Sequence, residues 1–482
     1  MAILGSARAV STAEVSVVGR REERGLMSIF RKLLARLVGL PANQIARGIP
    51  IAGSLRLLKR AWKWPPERVR QYQTQRLRDL LDLAGERFPF YSERLDAAGL
   101  DPSKMSSPQE LRALPPLARE DLQLLFEEAG SLAERSRGVS AGSSSGSTGT
   151  PIRYLKDPST IAMGKAALLF GRMRSGWRIG ARTANVWGNP KTVRELWTRR
   201  RSRLNAWLMN EIRIPACGLN TINAVDEALQ IIASKKPEFL TGYTNSLHLL
   251  ANRTLAAGIQ LDMQRVFTTA ETLLDPARSC IEQAFGPVTD MYGTGEINGI
   301  AFECPECGLY HTVDPHVLVE YEPVGNRSEH SILVTDLDNH VMPLIRYRVG
   351  DLVSLADSTS TGSCGCAWDS FASIRGRLSS IIEVNGRLLN PITYFGDSLG
   401  RVLHRSLPEL ITYQTVWDGH QFKTTLYMND NGNRHDQLSK LAKQMDDRLR
   451  DFEVRHSFEI ATSVPSTDTG KRSFFRNESG MG

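Results

Sequence analysis

A chain of 482 residues is more than one hydrophobic core usually organises, so two or three domains are expected. With 41% hydrophobic and 23% charged residues the composition is that of an ordinary globular protein, which excludes collagen-like, disordered and disulfide-scaffold classes. The net charge of +8 is local: residues 1–80 hold 16 Lys+Arg against 5 Asp+Glu, and residues 81–482 hold 44 against 47. A basic N-terminal arm, 1–64, therefore precedes a near-neutral body.

The arm is amphipathic. Ile29, Leu33, Leu34, Leu37 and Val38 fall near helical spacing with Arg31, Lys32 and Arg36 between them. The plain expectation is that this stripe packs on its own domain; the alternative is docking on an anionic membrane surface or a partner protein. No apolar run approaches the roughly 20 residues that span a bilayer. The opening stretch has a lone Arg8 in place of a basic n-region and is not read as a secretory signal.

Trp62-Lys63-Trp64-Pro65-Pro66 marks a turn, and Val69–Arg87 reads as a long helix with Leu77, Leu80, Leu81 and Leu83 on its apolar face. Beyond Pro151 the pattern predicts helix 159–174, strand 183–187, helix 191–209, helix 222–234, strand 238–242, helix 244–257, strand 264–268, helix 275–285 and strand 287–291. Strands alternating with helices indicate an α/β sheet. After Gly293 come strands at 317–321, 331–335 and 352–355 without helices, a β-rich part extending over 297–378. From Ser379 the order is strand, helix (392–404), strand (411–417), strand (421–428), helix (434–451), strand (457–461), the order of a ferredoxin-like α+β unit. The expected division is thus an arm (1–64), a large domain (65–378) and a small mobile domain (379–482).

Ser144-Ser145-Gly146-Ser147-Thr148-Gly149-Thr150-Pro151 is the strongest local motif. Its glycines let backbone N–H groups approach an anion and its hydroxyls add donors, which suits phosphate. It lacks the Gly-Lys-Ser/Thr ending of a P-loop NTPase, and such a stretch taken alone is also compatible with a flexible linker. Asp290-Met291-Tyr292-Gly293-Thr294-Gly295-Glu296 puts an aromatic, glycines and a carboxylate directly after a predicted strand, where ligands of open α/β sheets bind. Arg346-Tyr347-Arg348-Val349-Gly350-Asp351, Arg375-Gly376-Arg377 and Thr469-Gly470-Lys471-Arg472 follow in that order.

In these motifs the chain, from about Arg70 to Arg472, resembles the adenylate-forming (acyl/aryl-CoA ligase) superfamily, within it the phenylacetate-CoA ligase-like, CapK-like and coenzyme F390 synthetase-like branch. The resemblance implies a large α/β adenylation domain with a β-rich part and a small C-terminal domain. It implies that Ser144 to Thr150 hold the ATP phosphates and that Thr269, Ala270 and Glu271 flank the adenine, with Tyr292 stacked upon it. Asp290, Gly293 and Thr294 belong to the same ATP/AMP-binding set. The same likeness makes Glu296 the Mg²⁺ ligand, Asp351 the grip on the ribose diol and Arg377 its neighbour, with Lys471 as the catalytic lysine. Gly295 stands where the family often has Ser or Thr, and Leu378-Ser379-Ser380 follow Arg377 where an acidic hinge is common. Trp187, Asn189, Gly242, Tyr243 and Asn245 are the candidate walls of a partly polar acid pocket.

Six cysteines are too sparse for a secreted scaffold and indicate a reducing, cytoplasmic setting. Cys304 and Cys307 with His311, and Cys364 with Cys366, offer five ligands for the four places of a structural Zn²⁺. The resemblance favours Cys304 or Cys307 with His311, Cys364 and Cys366. Cys217 and Cys280 read as ordinary buried thiols.

The expected activity is ATP- and Mg²⁺-dependent conversion of a small carboxylic acid, aryl or similar, to an acyl-adenylate, followed by transfer to a thiol, coenzyme A. A CapK-like role in polysaccharide biosynthesis with another acceptor is the alternative. A zinc-knuckle nucleic-acid-binding protein, suggested by Arg199-Arg200-Arg201-Ser202-Arg203 between Trp197 and Trp207, is disfavoured by the near-neutral body.

Overall fold

The computed structural model describes residues 29–39, 41, 48–133, 138–143, 152–188, 193, 197–325, 328–356, 364–377, 382–389, 391, 394–395, 399–407, 410–428, 434–462 and 474–479. Ser144–Pro151, Asn189, the segment after Arg377 and Lys471 lie outside these residues. No described helix is long and apolar enough to cross a membrane.

Residues 29–39 form a helix that ends in a π-helical turn, Ala35–Gly39. The expected packing of its large apolar residues on the domain is not what the fold uses: Ile29, Leu33, Leu37 and Val38 are exposed. The small residues make the contact instead, Ala35 close to Gly180 and Gly39 against Leu208 and Met209, because only a small side chain lets the backbones approach this closely.

Helix α1 (Ile51–Ala61) follows, then α2 (Pro66–Arg87), started by a proline at its first turn, and α3 (Pro89–Ala98), closed by Gly99 at φ +60°. Helix α4 spans Asp121–Ala133. Leu77, Leu80, Leu81 and Ala84 of α2 join Leu122 and Leu125 of α4 in one buried cluster with the β-rich part. The antiparallel pair β1 (Ser140–Ser143) and β2 (Arg153–Lys156) flanks residues 144–151 in sequence. Immediately after β2, Asp157 caps helix α5 (Pro158–Arg174), its carboxylate accepting from the Thr160 N–H at 2.8 Å.

The main sheet is built from β3 (Thr183–Trp187), β4 (Glu211–Pro215), β5 (Phe239–Tyr243), β6 (Arg265–Thr269), β7 (Val288–Tyr292), β8 (Ala301–Glu303) and β9 (Tyr310–Thr312). Its connections run through α6 (Arg200–Leu208), α7 (Ile222–Lys235), α8 (Thr244–Ala256) and α9 (Asp275–Phe285). The order β9-β8-β7-β6-β5-β3-β4 is parallel from β7 to β4, so the carboxyl ends of five strands share one rim. Strands β5 and β7 are buried at every position, as in a sheet covered on both faces, and β7 carries Thr289 and Asp290 into that interior.

Strands β10 (Val317–Pro323), β11 (Glu329–Asp336) and β12 (Tyr347–Ser354) form the antiparallel second sheet, completed by β14 (Ser373–Arg377), while β13 (Ser370–Phe371) extends the main sheet beside β9. The β-rich part is therefore as expected.

The C-terminal order departs from the ferredoxin-like pattern. The expected first strand becomes β15 (Ile382–Val384), which among the described residues pairs locally with β16 (Arg387–Leu389). Asn385 at φ +49° and Gly386 at φ +75° close a two-residue hairpin, the turn that Asn-Gly favours, and this local closure removes β15 from the larger sheet. After α10 (Leu399–Ser406) come β17 (Leu410–Trp417), β18 (Gln421–Met428), α11 (His435–Arg448), β19 (Arg455–Ala461) and β20 (Phe475–Asn477). The sheet order is β19-β18-β17-β20, with an apolar cluster of its own around Phe395, Phe422, Leu426 and Met445.

Candidate active site and metal centre

At the carboxyl rim the two sheets meet through three side chains. The Tyr292 hydroxyl, at the end of β7, donates to Asp351 Oδ2 at 2.7 Å. Arg377 faces Asp351 in the β12–β14 register, and its Nε lies 3.3 Å from Asp351 Oδ1. Burial raises the Asp351 carboxyl above the usual range, against the lowering effects of Arg377 and the Tyr292 hydrogen bond, while the Glu296 carboxylate raises it further. Burial, and then the nearby Asp351, raise the Tyr292 phenol well above its ordinary value. Tyr347, which starts β12, is also buried and feels Glu296 first among its charged neighbours. Tyr292 and Glu296 of one segment are thus brought together with Asp351 and Arg377 of two others.

Glu296 sits on a tight turn. The Thr294 N–H donates to Ile297 O at 2.8 Å, and the Ile297 N–H returns to Thr294 Oγ1 at 3.0 Å. The Thr294 hydroxyl therefore caps its own turn. Gly293 is required here, because a Cβ would fall 2.7 Å from the Gly299 nitrogen.

Sequence reasoning missed what holds this turn in place. Lys156, 6% exposed at the end of β2, donates from Nζ to Gly295 O at 2.9 Å and to Asn298 Oδ1 at 2.8 Å. Its ammonium is pushed down to about 8 by burial, against the pull of Asp336 and Glu296. From the other side His316 contacts Asn298 O at 3.0 Å through Nε2 and Asp338 Oδ2 at 2.7 Å through Nδ1. Both ring nitrogens face acceptors, so the imidazolium satisfies the site. Burial opposes that charge, but Asp336 and Asp338 outweigh it and raise the histidine. Arg76 of α2 closes the group on Asp338 at 2.9 Å. A lysine one residue before a helix cap carries no spacing signal, which is why it escaped notice.

Asp290 is two residues before Tyr292 on β7, so the two side chains lie on the same face of the strand. It accepts from Thr268 Oγ1 at 2.7 Å and from the Tyr310 hydroxyl at 2.9 Å. Burial pushes its carboxyl up to about 7. Ala270, directly after β6, has φ +70°, a left-handed backbone that costs a non-glycine residue about 1 kcal/mol or more. Glu271 then turns back to accept from the Asn245 N–H at 2.9 Å, and its carbonyl accepts from the Thr244 hydroxyl at 3.0 Å.

Across the same rim the Trp187 and Tyr243 rings pack in a tilted contact, their centroids 4.1 Å apart with 34° between the planes. Burial, then Glu271, push the Tyr243 phenol up to about 12, with Cys217 also in reach. Gly242 lets β5 approach β3, since a Cβ there would lie 2.6 Å from Val186 O. Trp187, Gly242, Tyr243 and Asn245 therefore share the rim with Ala270 and Glu271.

A second cluster lies in the β-rich part. Ligand atoms of Cys304, Cys307, His311 and Cys364 all fall within 4.8 Å of one another. His311 Nε2 is 3.2 Å from Cys364 Sγ and 3.5 Å from Cys307 Sγ. Three thiols and an imidazole at these separations fit tetrahedral Zn²⁺, whose bonds of about 2.3 Å to sulfur set the ligand atoms roughly 3.8 Å apart. Cys366 is the ligand left over. Its sulfur accepts from the Trp368 N–H at 3.4 Å, so the structure gathers both Cys304 and Cys307 where the resemblance favoured one of them with Cys366. Burial raises the Cys304 thiol and pushes that of Cys307 up to about 12.

No protein-family model matches the chain. It is 26% identical to a phenylacetate-coenzyme A ligase of Thermus thermophilus over 73% of its length and 78% of that protein's. It is 22% identical to Protein CapK of Staphylococcus aureus over 84% of its length and 89% of that protein's. Among solved structures, a 2-hydroxyisobutyryl-CoA ligase bound to an acyl-AMP aligns with a TM-score of 0.65 at 16% identity, covering 87% of this chain and 91% of that one. The likeness first carried by the motifs thus extends along most of the chain, which has the fold of the adenylate-forming ligases and resembles their phenylacetate-CoA ligase-like and CapK-like branch.

Proposed function

We propose that this protein is an AMP-forming acid–thiol ligase: it activates a small carboxylic acid with ATP, releases pyrophosphate and passes the acyl group from the adenylate to coenzyme A. The observation that carries the reading is the buried Tyr292–Asp351–Arg377 contact beside Glu296 at the carboxyl rim of a parallel sheet.

Asp351 offers two carboxylate oxygens at the spacing of a ribose diol, and its hydrogen bonds to Tyr292 and Arg377 fix their direction. The rim between Ala270, Glu271 and Tyr292 receives the base. Ser144 to Thr150 hold the phosphates. The acid lies against Trp187, Gly242 and Tyr243, where the two packed rings provide an aromatic wall.

Attack of a carboxylate oxygen on the α-phosphorus brings two anions together. Positive charge and preorganised donors in a dry site lower that barrier by several kcal/mol, of order 3. Glu296, a carboxylate on a rigid turn, is the residue that would hold Mg²⁺, and the ion when bound neutralises phosphate charge. Lys471 supplies a second cation from the C-terminal part. Residues 379–482 act as a small mobile domain on the large domain, 65–378, so that closure brings Lys471 in and reopening admits the thiol. Cys304, Cys307, His311 and Cys364 would hold a structural zinc ion; with four protein ligands it leaves no place for substrate.

The similarity to CapK over most of both chains favours a second reading for the acceptor alone, a group other than coenzyme A. Pyrophosphate release from ATP and Mg²⁺ with a panel of aryl and short-chain acids tests the activation step. Product formation with and without coenzyme A separates the acceptors: adenylate that accumulates equally in both sinks the coenzyme A assignment.

A further inference from the structure

The outward face of the N-terminal helix is large, apolar and continuous with a second exposed face. Ile29, Phe30, Leu33, Leu37 and Val38 are 47–68% exposed. Next to them on α6, Leu204 and Trp207 are 56% and 54% exposed. The two helices touch: Gly39 lies against Leu208 and Met209, the Arg31 guanidinium sits 5.8 Å above the Trp207 ring, and Arg31 Nη1 reaches Asn210 Oδ1 at 3.3 Å. Seven large apolar side chains on adjoining helices form a patch of the kind that marks an interaction surface, unlike singly scattered exposed residues.

The rim of this patch is basic. Arg36 on the arm helix and Arg199, Arg200, Arg201 and Arg203 on or beside α6 are exposed. Behind Trp207 a cavity of about 510 Å³ is lined by Arg31, Arg182, Arg203, Arg213 and Lys235 against a single acid, Glu211. Arg182 and Glu211 lie at the amino ends of β3 and β4, so this face is at the opposite end of the main sheet from Trp187, Tyr243 and Tyr292. The adenylation reading has no use for it.

We infer that the arm helix and α6 together form a docking surface for an anionic lipid bilayer, with the apolar side chains entering the acyl boundary and the arginines meeting lipid phosphates. Charge complementarity selects this occupant. A second copy of the same surface would bring arginine rims face to face, a like-charge arrangement that opposes an isologous contact. A bilayer carrying anionic headgroups neutralises that rim, while the exposed indole of Trp207 suits the headgroup level. The inference is independent of the proposed ligase chemistry.

The test is flotation of the full-length protein with vesicles of phosphatidylcholine alone and with about 30% phosphatidylserine, at low and high salt. The expected result is recovery with the anionic vesicles at least about tenfold above the neutral ones, falling as salt rises. Leu33→Glu/Leu37→Glu should abolish flotation and leave acid-dependent pyrophosphate release unchanged, since both side chains are exposed and remote from the rim. As a measurement that needs no charge inserted in the helix, the difference in emission between the parent and Trp207→Phe should shift to the blue on anionic vesicles. Equal recovery from both vesicle types, or a parent chain that stays unbound, overturns the inference. So does a stable dimer in solution that the double variant dissociates while vesicle binding stays absent.

Discussion

The hydroxyl of Tyr292 donates to Asp351 across the junction of two sheets, at 2.7 Å, and this one bond ties the end of β7 to β12 at the centre of the candidate site. Hydrogen bonds to charged groups contribute about 1.5–3 kcal/mol. Tyr292→Phe keeps the ring and removes the donor, so it should raise the KM for ATP about tenfold to a hundredfold with a smaller change in kcat. Steady-state kinetics in ATP check it; an unchanged KM would show that Asp351 is not positioned by this bond.

Lys156 should matter for where Glu296 sits. Lys156→Met removes the donor to Gly295 O and Asn298 Oδ1 in a partly exposed turn, at a cost of about 1 kcal/mol in stability. Urea unfolding measures that loss. Activity should fall more than stability alone explains, with a higher Mg²⁺ requirement, and Lys156→Gln should restore part of both because its amide can still donate. Loss of stability with an unaltered Mg²⁺ requirement would confine Lys156 to a structural role.

The metal centre separates the cysteines. Elemental analysis should find about one zinc per chain, lost in Cys364→Ser and retained in Cys366→Ser, because only Cys364 belongs to the four gathered ligands. Equal retention in both variants would contradict the assignment.

Asp290 should leave a signature in the pH dependence of stability. Its folded carboxyl titrates near about 7, held up by burial, whereas an unfolded aspartate titrates near 3.8. Between about pH 4 and 7 the unfolded chain has released this proton while the folded chain still holds it. Stability from this group is therefore greatest at low pH, falls as pH rises through that window, and is level above it. Denaturant titrations at several pH values should show that slope reduced in Asp290→Asn relative to the parent.

Much of the fold could be read in advance because its signals are local. Strand β3 falls at 183–187 and helix α9 at 275–285, both where apolar periodicity put them. The C-terminal order could not be read the same way, since Asn385-Gly386 competes with sheet pairing and closes β15 on β16. In the site, the meeting of Tyr292, Asp351 and Arg377 was implied by the resemblance, but their direct bonding depends on how two sheets join. Lys156, His316 and Asp338 were invisible because they act through tertiary contacts, those of Lys156 across more than a hundred residues of chain and those of His316 across about twenty. The arm misled in a simpler way: an apolar stripe predicts burial, and the fold buried Ala35 and Gly39 instead of the large side chains.

Acid-dependent pyrophosphate release by the purified chain, with ATP, Mg²⁺ and the acid panel, tests the central claim most directly. The account predicts release with at least one acid, strongly reduced in Asp351→Ala and in Lys471→Ala. Release that is independent of every acid, or a parent chain that is folded and binds ATP yet releases none, would contradict it.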